Sequence, residues 1–245
     1  MSSKKRRGTL PPDGEAQDRP AALVPQTSAG ERRGILFVLS GPSGVGKTSL
    51  CRHVVAEMPD VQQSISYTTR APRPTERDGR EYSFISREAF EQRIGANEFL
   101  EWAKVHDHLY GTSRQRIEAV TATGMDVLLA IDVQGAAQLR AADVDAVFVF
   151  LIPPSWEVLS ARLQERSSES PKVQKQRLTV AREELTHYTE YDYVVVNDQL
   201  PSAAAILRTI IVAERHHVTR VGTTSIADLL TRYPVLPPSG PEGES

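Results

Sequence analysis

One glycine-rich run, Ser40-Gly41-Pro42-Ser43-Gly44-Val45-Gly46-Lys47-Thr48, has residue types and spacing that fit G-x-x-x-x-G-K-[ST] at every fixed position. Such a run cradles phosphate. Its backbone folds around an anion with the N–H groups turned inward, Lys47 brings a cation to the outer phosphates, and the Thr48 hydroxyl is a ligand for Mg²⁺. The chemistry this implies is binding of a nucleoside triphosphate. A second set points toward another phosphate: Arg70, Arg73, Arg77 and Arg80 crowd together with Ser66 and Tyr82, which supplies guanidinium forks and hydroxyl donors for a dianion. Balanced by Glu76, Asp78 and Glu81, the same arginines also describe a solvated loop, and composition alone leaves both readings open.

These residues need a scaffold, and the apolar pattern supplies one. The run 35–39 precedes the glycine-rich loop, and Thr48 to Val55 reads as the helix whose positive end faces the anion. Strands are predicted over 35–39, 126–132, 146–152 and 192–196, each nearly continuous in apolar residues, as in a parallel sheet covered on both faces. Helical spacing recurs in Trp156, Leu159 and Leu163, in Val173, Leu178, Ala181, Leu185 and Tyr188, and in Ala203, Leu207, Ile210 and Ile211. The fold class is α/β, a three-layer P-loop fold with a parallel sheet core. Ser64 to Arg70 and Tyr82 to Ile85 read as sheet segments of an inserted mixed α/β subdomain, and Arg166 to Pro171 has the composition of a mobile lid.

The 245 residues carry a net charge of -2, so no overall field draws the chain to nucleic acid or a membrane, and neither is expected as a partner. Cys51 is the single cysteine, read as a packed helix residue; with no His/Cys cluster at metal-ligand spacing, this points to a reducing, cytoplasmic setting without structural zinc. A polar N-terminal tail over 1–33, containing Lys4-Lys5-Arg6-Arg7, and a Pro-rich end read as unstructured, and the apolar island Ala21 to Val24 is too short for a signal or a span.

The insertion carries a family resemblance. Ser66-Tyr67-Thr68-Thr69-Arg70-Ala71-Pro72-Arg73-Pro74-Thr75-Glu76 resembles the S-x-T-T-R-x-P-R-x-G-E segment of guanylate kinases. Gly79-Arg80-Glu81-Tyr82, Glu98 to Ala103, Tyr110-Gly111-Thr112, Ile131-Asp132-Val133-Gln134-Gly135, Phe150 to Ser155, Arg162-Leu163 and Val195-Val196-Asn197-Asp198 follow in family order and spacing. The resemblance covers 34 to about 215 and implies transfer from ATP, with Mg²⁺, to GMP; dGMP stays open as an acceptor, and protein partners are unknown. It implies a domain over 34–218, with the P-loop at 41–48, a GMP-binding insertion over about 64–125 and a lid over about 162–177, followed by a mostly unstructured extension over 219–245.

Residue by residue, the resemblance implies that Ser66, Arg70, Arg73, Tyr82 and Tyr110 hold the GMP phosphate and that Glu101, Thr112 and Asp132 read the base. Gly41, Pro42, Ser43, Gly44, Val45, Gly46, Lys47 and Thr48 would hold the triphosphate, with Thr48 toward the metal and Asn197 near adenine. Lys47, Arg162, Arg166 and Arg177 would neutralise charge on the transferring group. Plainer roles exist: Glu101 as a surface strand residue, Thr112 as the N-cap of a helix over 113–123, and Asp132 as the cap of the next helix.

Three residues depart from the family pattern. Ala130 stands where an acidic residue is usual, Ser167 replaces a lid glycine and Thr75 replaces a loop glycine. The competing readings are a catalytically weakened interaction module, which the intact Lys47 argues against, and a P-loop enzyme acting on a sugar phosphate, which the base-reading trio argues against.

Overall fold

The structure, a computed structural model, describes residues 32–105, 107–165, 171–221 and 223–233. Most of the N-terminal tail, the Pro-rich end, and Arg166 and Ser167 of the expected lid lie outside the described residues.

Strand β1 (Leu36–Ser40) is buried at every position. It has strands on both edges and helices on both faces, so each of its side chains meets protein. Its sheet also contains β2 (Val61–Gln63), β7 (Asp126–Ala130), β8 (Val147–Ile152) and β9 (Tyr193–Val196), in the order β2-β7-β1-β8-β9 with every pairing parallel. The period of two sorts the core into layers. Phe37 and Leu39 pack with Leu50 and Val54 of α1 (Lys47–Glu57) and with Leu207 and Ile211 of α7 (Leu200–Arg215). Leu36 and Val38 pack on the other side with Ile117 of α3 (Arg114–Ala122) and Ala136 and Leu139 of α4 (Val133–Ala141). The phosphate loop and the turns after β7, β8 and β9 thus lie at the C-terminal edge of one sheet, where open α/β sheets bind ligands.

A buried carboxylate ties the opposite edge together. Asp126 Oδ1 accepts from the Ile35 backbone N–H at 2.8 Å and from Arg32 Nη1 at 2.7 Å, and Oδ2 accepts from Arg215 Nε at 2.7 Å. Asp126→Ala leaves both guanidinium groups and the amide without this acceptor, an expected loss of about 3–5 kcal/mol. Thermal melting checks it. A drop of under 1 °C would mean that water replaces the carboxylate.

The second sheet has the order β4-β3-β6-β5, built from β3 (Tyr67–Thr68), β4 (Ser83–Phe84), β5 (Phe99–Val105) and β6 (His108–Ser113). β3 and β4 run parallel, and the other pairs antiparallel. Tyr67, Phe99 and Leu109 form a separate small core with Phe90 of α2 (Arg87–Gly95), whose ring stacks on Phe99 at 4.5 Å. Gln138 on α4 clasps this sheet to the first: it accepts from Trp102 N at 3.1 Å and donates to Trp102 O at 2.7 Å. A third cluster joins Leu159 and Leu163 of α5 (Trp156–Glu165) to Leu178, Ala181 and Leu185 of α6 (Pro171–Leu185).

Several sequence expectations shift. The strand expected over 126–132 ends at Ala130, because Asp132 leaves the sheet to cap α4, its Oδ1 accepting from Gly135 N at 2.8 Å. Thr112 is not the cap of α3; Ser113 is, accepting from Arg116 N at 3.3 Å. Tyr188 falls in a 3₁₀ turn (Thr186–Glu190) rather than in α6, and a helix α8 (Thr223–Leu230) lies within the C-terminal extension. No helix among the described residues is long and apolar enough to cross a membrane.

Candidate active site

Gly46 caps α1 in the left-handed region, at φ 103°. A Cβ there would also lie 2.5 Å from Asn197 Nδ2, so glycine answers both a torsional and a steric demand. Lys47 Nζ folds over the loop and donates to Gly41 O at 2.6 Å and Pro42 O at 3.1 Å. Thr48 is exposed. Asn197, buried after β9, donates Nδ2 to Val45 O at 2.7 Å, so its amide nitrogen is committed to the shape of the loop. Arg162 Nη1 reaches Val45 O at 3.4 Å, and beside it a cleft of about 290 Å³ opens between Gly46, Ser49, Asp198 and Leu200. Cys51, one turn after Lys47, is buried as expected, and burial pushes its thiol up to about 12 against the pull of Lys47.

The arginine segment divides in two. Arg70 grips both oxygens of Glu76 with Nη2 at 2.9 Å and lies 5.6 Å from the Tyr82 ring centroid. Arg73 donates its backbone N–H to the same carboxylate at 2.8 Å. Tyr82 and Tyr110 meet edge to face at 5.9 Å, while Ser66 O accepts from Ser83 N at 2.9 Å. These residues gather at the β3–β4–β6 end of the second sheet. Arg77 and Arg80 stand apart: Glu81 accepts from the Arg77 backbone N–H at 2.9 Å and pairs with Arg80 Nε at 3.4 Å. Thr75 adopts no left-handed conformation, so this turn does not require the family glycine.

The third group is polar yet buried. Glu101 and Thr112 pair directly across β5 and β6, and the Thr112 hydroxyl donates to Glu101 Oε1 at 2.5 Å. Glu101 is therefore not a surface strand residue; it is 5% exposed. Burial pushes its carboxyl up to about 7, opposed by the Thr112 bond and reinforced by the charge of Asp132. Glu101 Oε2 is turned toward Gly135, where an added Cβ would come within 2.7 Å of it.

Comparison with known proteins bears on these three groups together. The sequence profile of the guanylate kinase family matches residues 33–214. The chain belongs to the guanylate kinase family. It is 50% identical to a guanylate kinase of Symbiobacterium thermophilum over 82% of this chain and 95% of that one. It is also 50% identical to one of Rhodopseudomonas palustris, over 76% of this chain and 84% of that one. The crystal structure of guanylate kinase from Anaplasma phagocytophilum superposes with a TM-score of 0.67 at 32% identity, covering 85% of this chain and all of that one.

In this member of the guanylate kinase family, Arg177 is half-buried on α6, while Arg166 lies outside the described residues. Three further residues stand against these groups, none of them expected from sequence as a site residue: Glu76, named there only as a counter-charge, which orients Arg70, Gly135, which makes room for Glu101, and Glu184, which faces the phosphate loop. Gly135 stands inside a quoted motif, whereas Glu184 lies on a helix with no local signal. Among the described residues no cluster of three or more His, Cys, Asp or Glu could cage a metal. Ala130 ends β7 beside Leu39 and adds no carboxylate. That donor set fits an Mg²⁺ carried mainly by nucleotide phosphates, with the Thr48 hydroxyl as its protein ligand.

Proposed function

We propose that the protein transfers the terminal phosphoryl group of ATP to the phosphate of GMP, forming ADP and GDP, in the cytoplasm. The buried Glu101–Thr112 pair beside Asp132 carries this reading. Guanine offers N1–H and an exocyclic NH₂ to carboxylates and takes a hydrogen bond at O6, whereas adenine presents a different donor and acceptor pattern. A base with two N–H donors also adds partners to a buried carboxylate whose side-chain bond is to Thr112.

The second sheet, over about 64–125, would serve as the acceptor-binding insertion, and the segment over about 162–177 as the lid. Arg70 and Arg73, oriented by Glu76, would bind the GMP phosphate together with Ser66, Tyr82 and Tyr110. One oxygen of that phosphate then attacks the γ-phosphorus in line, and the bond from that phosphorus to the departing ADP oxygen breaks. Gly41, Pro42, Ser43, Gly44, Val45 and Gly46 would hold the triphosphate, with Lys47 at its outer end and the adenosine toward the cleft beside Arg162 and Asn197. Thr48 would hold Mg²⁺ together with the phosphates, and the ion would supply charge neutralisation. Arg162, Arg166 and Arg177 would close over the transferring group and exclude water. The intact Lys47 favours an active kinase over a weakened interaction module.

The decisive assay follows ADP release with Mg-ATP and a panel of nucleoside monophosphates. GMP is expected to exceed AMP, CMP and UMP by at least about 10³-fold in kcat/KM; equal rates would remove the assignment. Gly135→Ala is expected to raise KM for GMP about 10- to 100-fold by displacing Glu101, leaving KM for ATP unchanged. Steady-state kinetics in both substrates test this. A rise in the ATP constant alone would contradict the placement.

A further inference from the structure

Helix α6 carries a carboxylate into the phosphate cradle. Glu184 Oε2 accepts from the Ser43 backbone N–H at 3.4 Å, across 141 residues of chain. The charges of Lys47, Asp132 and His187 all act on it, and its half-buried carboxyl is raised by burial against the pull of Lys47 and the Ser43 N–H. A loop N–H and the field of the lysine, which a phosphate loop offers to an anion, are therefore already engaged by a residue of the chain. A triphosphate arriving there meets a like charge in a site of reduced dielectric, and one of the two must yield.

The position of Glu184 on its helix gives that displacement an outlet. Glu184 and Arg177 are seven residues apart and so share one face of α6, with Ala181 between them buried against Leu159 and Leu163 of α5. A displacement that Glu184 passes to its backbone is carried by the same helix that bears Arg177.

We infer that Glu184 is an internal stand-in for the outer phosphate of ATP, and that its displacement by the triphosphate shifts α6 and brings Arg177 toward the transferring group. The inference rests on the ATP-binding reading above. Glu184 acts here as a positioning residue and takes part in no bond change. Its carboxylate lowers affinity for the triphosphate and makes closure depend on a phosphate reaching Ser43 and Lys47.

Calorimetric titration of the full chain with ATP and with inorganic tripolyphosphate, without GMP, tests this. Glu184→Gln is expected to bind both about tenfold more tightly, and to lower KM for ATP without changing KM for GMP. Glu183→Gln, which removes the same charge from an exposed neighbour, is expected to stay within twofold of the parent. Unchanged or weaker binding by Glu184→Gln, or equal tightening in both variants, overturns the inference. A parent that binds no ATP overturns the function as well, so the two failures are distinguishable. Hydrogen exchange on the unaltered protein serves as a check that needs no variant: tripolyphosphate must alter exchange across 177–185, and an α6 indifferent to it overturns the inference.

Discussion

Replacing Lys47 with alanine is expected to lower kcat for GMP phosphorylation by about three orders of magnitude, close to 4 kcal/mol of transition-state stabilisation. Phosphoryl transfer requires little of the protein beyond positioning and charge, so the loss of a cation at the outer phosphates is not made good by a neighbouring residue. The fold should survive. Lys47 donates to the carbonyls of Gly41 and Pro42, at the edge of the loop, whereas the core beneath it rests on Leu50, Cys51 and Val54. Thermal melting should therefore fall by no more than a few degrees, in keeping with about 1 kcal/mol. ADP release and a melting curve on one preparation separate the two effects. Activity within tenfold of the parent would show that another group supplies the charge.

Glu101→Gln is expected to cost function and add stability at once. The amide keeps the Thr112 contact but presents NH₂ where guanine needs an acceptor, so kcat/KM for GMP should fall roughly a thousandfold. Stability moves the other way for a reason that the protonation equilibrium fixes. Native Glu101 holds its proton up to about 7, against an ordinary value of 4.5, so between these values the native state binds more protons than the unfolded chain. The stability from this group is complete below 4.5 and is lost as pH rises through about 7. At pH 8 the ionised carboxylate costs about 3 kcal/mol, most of which the glutamine variant recovers, raising the melting temperature by roughly 5–10 °C. The gap between variant and parent should close toward pH 5. In kinetics, the parent should lose GMP affinity as pH falls below about 7, beyond the change shared with the variant through the titration of GMP itself. A parent as stable as the variant at pH 8 would rule out the buried-charge penalty.

How much of this was legible in the sequence depended on whether function and local pattern agreed. The phosphate loop is contiguous and flanked by a strand and a helix, and β1, β7, β8 and β9 announce themselves as apolar runs. Strand β5 does not. Its buried positions are Phe99, Glu101 and Ala103, with a register shift between Phe99 and Glu101, so a glutamate occupies a slot that an apolar residue would have filled. The same conflict hides β6, where Gly111 and Thr112 are both buried at neighbouring positions that take opposite faces of the strand. Motif order placed Glu101 and Thr112 in one site, but only strand register shows them hydrogen-bonded. The four arginines were alike as a cluster and are unlike in space, because Glu76 selects Arg70 and Arg73 while Glu81 engages Arg77 and Arg80. Glu184 was beyond reach, since a glutamate on a charged helix gives no sign of what lies opposite.

The Asp126 carboxylate has a consequence for where this chain can be opened and rejoined. Arg32 and Arg215, one residue outside either end of the family match, are held by its two oxygens. The folded segment therefore closes on itself, its entrance and exit separated by two side chains and one carboxyl group. A short linker could join them and new termini could be cut into a distant surface turn without crossing the catalytic edge. A truncation that removes either arginine would undo the closure at its seam.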